Sequence, residues 1–326
     1  MRCLVQLFRY RDGVVPNCCA IGYVFVAYPL SLWGMASFSG TGYLLCCLLL
    51  AHTLIIAAYL LHECMHHTIC KRSSHNKRLG QLLAWITGAL YVPYGVLQNK
   101  HLLHHASRAD ILALDYRSVL ADRPVLRRLT QAMQWHHLPA VEVLTHILSM
   151  AAPFVLPDRR DQRAYVVMIL CTRMVFFLLL ALANIMVLPA YLTAYLAFIW
   201  VLGFMDSTQH HYEMRMGTYN DKLSPEHDRE YEETHTFSNL LSHRFPWLNL
   251  LVLNFCYHNV HHYRSGEPWY RLARLHDRRY HGRQAPVIGV AEQIQMYNSY
   301  RVDRVMSNTQ IDTGIGAAGV SFLAGG

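Results

Sequence analysis

Histidine carries the chemistry available to this chain. Three clusters stand out by their spacing: His62-Glu63-Cys64-Met65-His66-His67, His101-Leu102-Leu103-His104-His105 and His258-Asn259-Val260-His261-His262. On a helix, positions i, i+3 and i+4 share a face. His62 and His66 are four apart, and the other two clusters each combine separations of three and four. Each cluster therefore presents two or three imidazoles to one point from one rigid element. A fourth signal, Gln209-His210-His211, follows the last long apolar run. Eight imidazoles at ligand spacing exceed what one ion needs. They suit two ions sharing a site, each with positions open to a reactant. Imidazole binds zinc, copper, iron and nickel alike, so ligand type alone does not choose the metal. The nine cysteines include no CxxC, and at least four lie in apolar runs, where Cys acts as a small hydrophobe. They point to neither a disulfide framework nor a thiolate metal site, and to a reducing compartment around the polar parts.

The elements that must position these clusters are apolar. Of 326 residues, 53% are hydrophobic and 15% charged, against about 25% charged in an ordinary soluble domain. No Asp, Glu, Lys or Arg occurs from Cys19 to Leu61. Runs over 19–37 and 42–61 flank the turn Ser37-Phe38-Ser39-Gly40-Thr41, and runs over 164–186 and 189–205 meet near Val187-Leu188-Pro189. About 20 residues at 1.5 Å each cross a hydrocarbon core of about 30 Å. The pattern predicts an all-α integral membrane protein. Four transmembrane helices form two hairpins, interfacial helices lie on the membrane face, and a histidine-rich cap covers the cytosolic side. A cleaved signal peptide is the rival reading of the first run, but the run is long and no A-x-A site follows it. Two further apolar stretches, Leu79 to Leu97 and Leu144 to Leu156, are expected on the membrane face, the second broken by Pro153 and Pro157. Arg173, inside the third run, reads as a displaced helix boundary, a snorkelling side chain or the partner of a buried acid. The folded domain is expected over residues 1–305, and the Gly/Ala/Ser/Thr-rich tail over 306–326 is expected to be disordered.

Charge tests the topology. Four crossings put both termini on one side. All 29 Lys and Arg residues except Arg173 then fall on that same side, as does every histidine cluster. The positive-inside rule makes it the cytosolic side. The net charge of +8 accordingly reads as a membrane-surface property, with no nucleic-acid partner expected.

Two other readings compete. His62-Glu63-Cys64-Met65-His66 matches HExxH, in which two histidines bind zinc and Glu63 is the general base of a membrane protease. That reading needs a further ligand and leaves the later clusters without a role. A non-catalytic metal transporter or scaffold is the third. His52, His75, His136, His137, His146, His227, His243, His276 and His281 read as ordinary core or surface residues. His67 and His211 are ambiguous, each adjoining a better-placed histidine.

HECMHH, HLLHH and HNVHH, in this order and between these hairpins, resemble the three histidine boxes of the membrane fatty-acid desaturase and hydroxylase superfamily, over roughly residues 40 to 280. The resemblance implies a non-haem di-iron centre on the cytosolic side of a four-helix membrane domain. His62 and His66 match the first box, His101, His104 and His105 the second, and His258, His261 and His262 the third. The superfamily often has a further ligand after the fourth helix. His210 is similar to that position, with His235 in Glu233-Thr234-His235-Thr236-Phe237 as a competitor. Glu63, Asp110, Asp115, Asp206 and Glu213 lie near boxes and could orient imidazoles through the second ring nitrogen. The stretch from Lys100 to Asp115-Tyr116, with Phe245-Pro-Trp-Leu-Asn-Leu, is also similar to a bacterial branch whose members decarboxylate fatty acids to terminal alkenes.

The resemblance implies two Fe ions, O2 as co-substrate and a long acyl chain as substrate. Breaking an unactivated C–H bond requires such a cofactor. Desaturation is the first expectation, and hydroxylation and oxidative decarboxylation are the alternatives. Tyr23, Phe25, Tyr28, Tyr59, Phe176, Phe177, Tyr191, Tyr195 and Phe198 near the spans read mostly as packing or lipid-facing residues, not as tunnel walls. The chain has no His-Pro-Gly-Gly stretch of a fused cytochrome b5, no iron–sulfur cysteine set and no flavin fingerprint. Electrons are therefore expected from an external ferredoxin-type or cytochrome b5-type donor docking on the basic face.

Overall fold

The uncharged runs become helices because, among apolar residues, intrahelical bonds are the one way to satisfy every backbone polar group. The computed structural model describes residues 6–212, 214–217 and 227–306. It is mostly helical, and four helices are long and apolar enough to cross a membrane. The first, α1, is Val14–Ser37. It starts earlier than the uncharged run because Pro16 sits in its first turn, where a missing N–H costs nothing. The second, α2, is Gly40–Met65, about 39 Å long at 1.5 Å per residue. It runs past its apolar stretch and carries His62 on its last turn.

Next comes α3, Ser73–Thr87. Gly88 ends it in the left-handed conformation at φ 76°, a one-turn 3-10 segment Ala89–Tyr91 follows, and Pro93 precedes α4, Tyr94–Ser107. The expected single stretch from Leu79 to Leu97 is thus two helices broken at Gly88 and Pro93. Strand β1 (Asp110–Leu112), α5 (Tyr116–Ala121), α6 (Pro124–Trp135) and α7 (Ala140–Val155) lead to the 3-10 turn Pro157–Gln162. Pro153 lies inside α7 and does not break it. It falls in the last turn, where removing one i→i−4 bond leaves the rest of the ladder intact.

The third long helix, α8, is Arg163–Ala183 and the fourth, α9, is Val187–Asp206. The connector is therefore 184–186 and not the expected Val187-Leu188-Pro189. Asn184 terminates α8 with its N–H on the Leu180 carbonyl, and its side chain accepts the Met186 N–H at 3.0 Å. Pro189 is absorbed into the first turn of α9.

The remaining elements are short. Strand β2 (Met214–Met216) pairs parallel with β1 in the register Asp110↔Met214, a small departure from an all-α fold. Then come α10 (Arg229–His235), the 3-10 segment Pro246–Val252, α11 (His258–Tyr263), α12 (Leu272–Arg279), α13 (Val290–Tyr300) and α14 (Asp303–Met306). The expected tail disorder concerns residues beyond Met306, which lie outside the described residues.

Helix α2 is the centre of the core. Leu54, Ala57, Ala58, Leu60 and Leu61 on it are buried against α1, α3 and α9. Helix α8 is the most peripheral span, and Leu178, Leu179 and Leu182 on it stand exposed. Leu44, Leu45 and Leu48 of α2 extend the same outward apolar belt. An apolar surface on this scale marks contact with lipid or another protein.

Candidate metal centre

Each histidine cluster is held by a different element. His62 is on the last turn of α2, and His66 is its C-terminal cap. The second cluster lies on α4 and the third on the short helix α11. His210 follows α9 and is fixed by a backbone bridge to Thr236. The tertiary fold brings all of these together. The donor nitrogens of His62, His66, His101, His105 and His261 lie within 4.8 Å of one another, and so do those of His104, His210 and His262. His258 joins the second group, its Nε2 lying 2.7 Å from that of His210. The two groups adjoin, with the His105 and His262 rings stacked at 4.1 Å.

Within the first group, Nε2 of His101 is 2.7 Å from that of His66 and 3.2 Å from that of His105, which is itself 3.2 Å from Nε2 of His261. In the second, Nε2 of His210 lies 2.9 Å from Nε2 of His262. Burial first, and neighbouring imidazoles second, hold His101, His105, His210, His258, His261 and His262 well below the ordinary histidine range. Burial likewise pushes His66 down to about 3 and His104 to about 4. These rings are neutral at physiological pH, which is the form that offers a lone pair to a metal.

The outward ring nitrogens explain which lone pairs point inward. His104 donates its Nδ1–H to the Ala109 carbonyl at 2.8 Å. His262 Nδ1 is 3.3 Å from Glu232 Oε1, and Glu232 is in turn held by Arg108 at 3.0 Å. Asp110 Oδ1 lies between His104 Nδ1 at 3.6 Å and His210 Nδ1 at 3.7 Å. Its carboxyl is pushed up to about 7 by burial, against the opposing pull of Lys100. With Nδ1 committed outward, His104 and His262 turn unprotonated Nε2 atoms toward the cluster. Converging lone pairs repel unless a cation lies among them, so the donor set fits a pair of metal ions.

The structure also sorts the neighbours. His67 leaves the site, with its Nε2 3.1 Å from the Gln98 amide nitrogen. His211 packs on Phe237 with ring centroids 4.5 Å apart. His235 donates Nδ1–H to the Tyr231 carbonyl at 2.8 Å and stacks on Tyr231, so His210 and not His235 enters the cluster. Glu63 accepts from the Thr68 hydroxyl at 2.6 Å and from the Trp269 N–H at 3.1 Å, and its other oxygen lies 3.7 Å from His62 Nδ1. It thus supports the centre from behind, which is not the place of a protease base. Asp115 orients no imidazole: it caps α5, accepting the Ser118 N–H at 3.0 Å. Asp206 is the last residue of α9. Glu213 lies outside the described residues. Glu232 has no counterpart among the expected residues, because nothing in the spacing of Glu230 to Glu233 ties one of them to His262. A polar cavity of about 470 Å³ opens beside His105 and His262, lined also by Arg108, Arg229 and Arg264.

Among curated proteins, none matches this chain. The fatty acid desaturase family model matches residues 39–291, a span that contains all nine clustered histidines and Asp110, Glu63 and Glu232 around them. The chain belongs to the fatty acid desaturase family, an oxidoreductase family acting on fatty acyl chains in membranes.

Proposed function

We propose that this protein is a di-iron, O2-dependent enzyme that desaturates a fatty acyl chain. The observation that carries this reading is the convergence of nine neutral histidines from four separate segments into two adjoining groups. When bound there, two irons would supply the oxidising power, drawn from dioxygen and external electrons, that side chains lack for an unactivated C–H bond. His62, His66, His101, His105 and His261 would hold one ion, and His104, His210, His258 and His262 the other. Asp110, Glu232 and the Ala109 carbonyl fix the ring tautomers from behind. Hydrogen-bond partners of this kind tune metal affinity by roughly 10- to 100-fold.

The remaining residues supply access and exclusion. The apolar packing around α2 keeps water from the membrane side of the centre. The polar cavity beside His105 and His262, with Arg108, Arg229 and Arg264, suits an acidic donor of the ferredoxin or cytochrome b5 type. The spans form two hairpins, with both termini and the histidine cap on the cytosolic side, as the one-sided Lys and Arg distribution supports. The folded domain is proposed over residues 1–305, of which 1–5, 213 and 218–226 lie outside the described residues.

Hydroxylation and decarboxylation to a terminal alkene would use the same histidines, because the placement of the acyl chain selects the product. The test is a lipid profile, with alkene analysis, of cells expressing the protein beside a His261→Ala control, joined to metal analysis of the purified protein. Two irons per chain and a new double bond that His261→Ala abolishes are expected. A single zinc, or an unaltered lipid profile, would overturn the reading.

A further inference from the structure

Arg173 is a buried charge with no counter-ion among the described residues. It stands ten residues into α8, about 15 Å from the start of that helix, near the middle of a hydrocarbon core of about 30 Å. It is 5% exposed. Its guanidinium donates to the Trp85 carbonyl and covers the Trp85 ring, with the carbon 4.5 Å from the ring centroid. Its Nε is buried with no hydrogen-bond partner. Among the described residues no Asp or Glu forms an ion pair with it. Tyr91, Tyr191 and Tyr195 stand around one cavity with it. Of the three readings of Arg173, the buried-acid partner finds no such acid among the described residues.

Arg173 lines a cavity of about 390 Å³ between α7, α8, α9 and the turn after α3. Val143, Ile147, Met150, Phe177, Leu188 and Leu192 make most of the wall, and His146, Tyr191 and Tyr195 join Arg173 as its polar part. An apolar cavity holding a few convergent polar groups is the general form of a small-molecule site. A charge inside a membrane span is costly unless it is paired. An anion attached to an acyl chain meets both demands.

We infer that this cavity binds a free fatty acid, its carboxylate on Arg173 and its chain along the apolar wall. The planar guanidinium matches a carboxylate in bidentate fashion. The volume lies near the low end of the usual range for small-ligand pockets, which suits one acyl chain and not a two-chain phospholipid. Tyr195 lies eleven residues before the end of α9, about 17 Å along it, so the acid head sits away from the histidine centre. This is a second lipid site, independent of the oxidation proposed above.

The test uses the full-length protein in lipid nanodiscs with no electron donor present, so that turnover plays no part. A 12-carbon fatty acid bearing a diazirine beside its carboxyl group is photolysed, and the adducts are mapped by mass spectrometry. Adducts on Phe177, Tyr191 or Tyr195 are expected, falling at least tenfold in Arg173→Met. Leu192→Trp, which fills the cavity and keeps the charge, should lose them as well. Unchanged far-ultraviolet circular dichroism and melting temperature separate either loss from misfolding. Equal labelling by the methyl ester, undiminished labelling of Arg173→Met, or adducts confined to the histidine segments would overturn the inference. So would cavity labelling by a diazirine phosphatidic acid in place of the fatty acid.

Discussion

His66 and His67 are adjacent in the chain and opposite in environment. His66 ends α2, and its Nε2 meets that of His101 at 2.7 Å. His67 takes a left-handed backbone at φ 55°, which costs a non-glycine residue roughly 1 kcal/mol or more. Its N–H returns to the Cys64 carbonyl, its own carbonyl accepts from Arg9, and its ring meets Gln98. The turn that puts one ring into the cluster necessarily swings the next one out of it. His66→Ala is therefore expected to lose bound iron and to reduce turnover to background. His67→Ala should retain its iron and stay within about tenfold of the parent protein, as expected for a change outside the ligand set. Iron content by plasma emission spectroscopy, paired with turnover, checks both. Equal iron loss in the two variants would move His67 into the site.

At the scale of elements, α4 carries three clustered histidines, and its placement depends on its neighbour α3. Gly80 of α3 lies under Tyr94, the first residue of α4. A β-carbon at position 80 would come within 2.2 Å of the Tyr94 ring. Both residues are buried, so the ring has little room to yield. Overpacking of this kind costs typically 1–3 kcal/mol. Gly80→Ala is expected to lower the melting temperature and to lower iron content with it, because α4 must shift. Pairing it with Tyr94→Leu, which removes the obstructing ring edge, should restore part of both. A Gly80→Ala protein with unchanged melting temperature and iron content would show that α4 is positioned by its other contacts. Gly34 plays a similar part at the α1–α2 contact, where a β-carbon would come within 2.3 Å of Cys46 Sγ. Small residues that let spanning helices approach are common in membranes.

For the molecule as a whole, the exposed apolar residues form a belt while Lys and Arg gather outside it. Leu45, Leu48, Leu179 and Leu182 are each at least 60% exposed on α2 or α8, where contact with lipid makes such surface favourable. The two connectors, 38–39 and 184–186, contain no charged residue. Both are expected to face away from the cytosol. Single cysteines placed at Ser39 and at Asn184 in a variant lacking the accessible native cysteines should react with an impermeant maleimide applied to intact cells. Cysteines placed at His137 and at Arg283 should react only after the membrane is opened. The reverse pattern would invert the topology, and with it the side on which an electron donor must dock.

The sequence alone determined the spans, the clusters and the identity of most clustered histidines, because these are local properties. A hydrocarbon layer demands about 20 uncharged residues, and a helix demands spacings of three and four, so both can be read off the chain. It also placed His210 beside the boxes, although only the bridge to Thr236 decides it over His235. Helix ends were read less well. The connector before α9 depends on the side chain of Asn184, and the break at Gly88 on a left-handed turn, each a choice made by a few hydrogen bonds. Tertiary structure alone decided how nine histidines divide into two groups, that Glu232 holds His262, that Glu63 faces Thr68 and Trp269, and that Arg173 pairs with no acid among the described residues. Apart from Glu63 and Thr68, which are five positions apart, these pairings join residues tens to hundreds of positions apart. No periodicity links such residues, and only the packing of α2, α4, α9 and α11 brings them into contact.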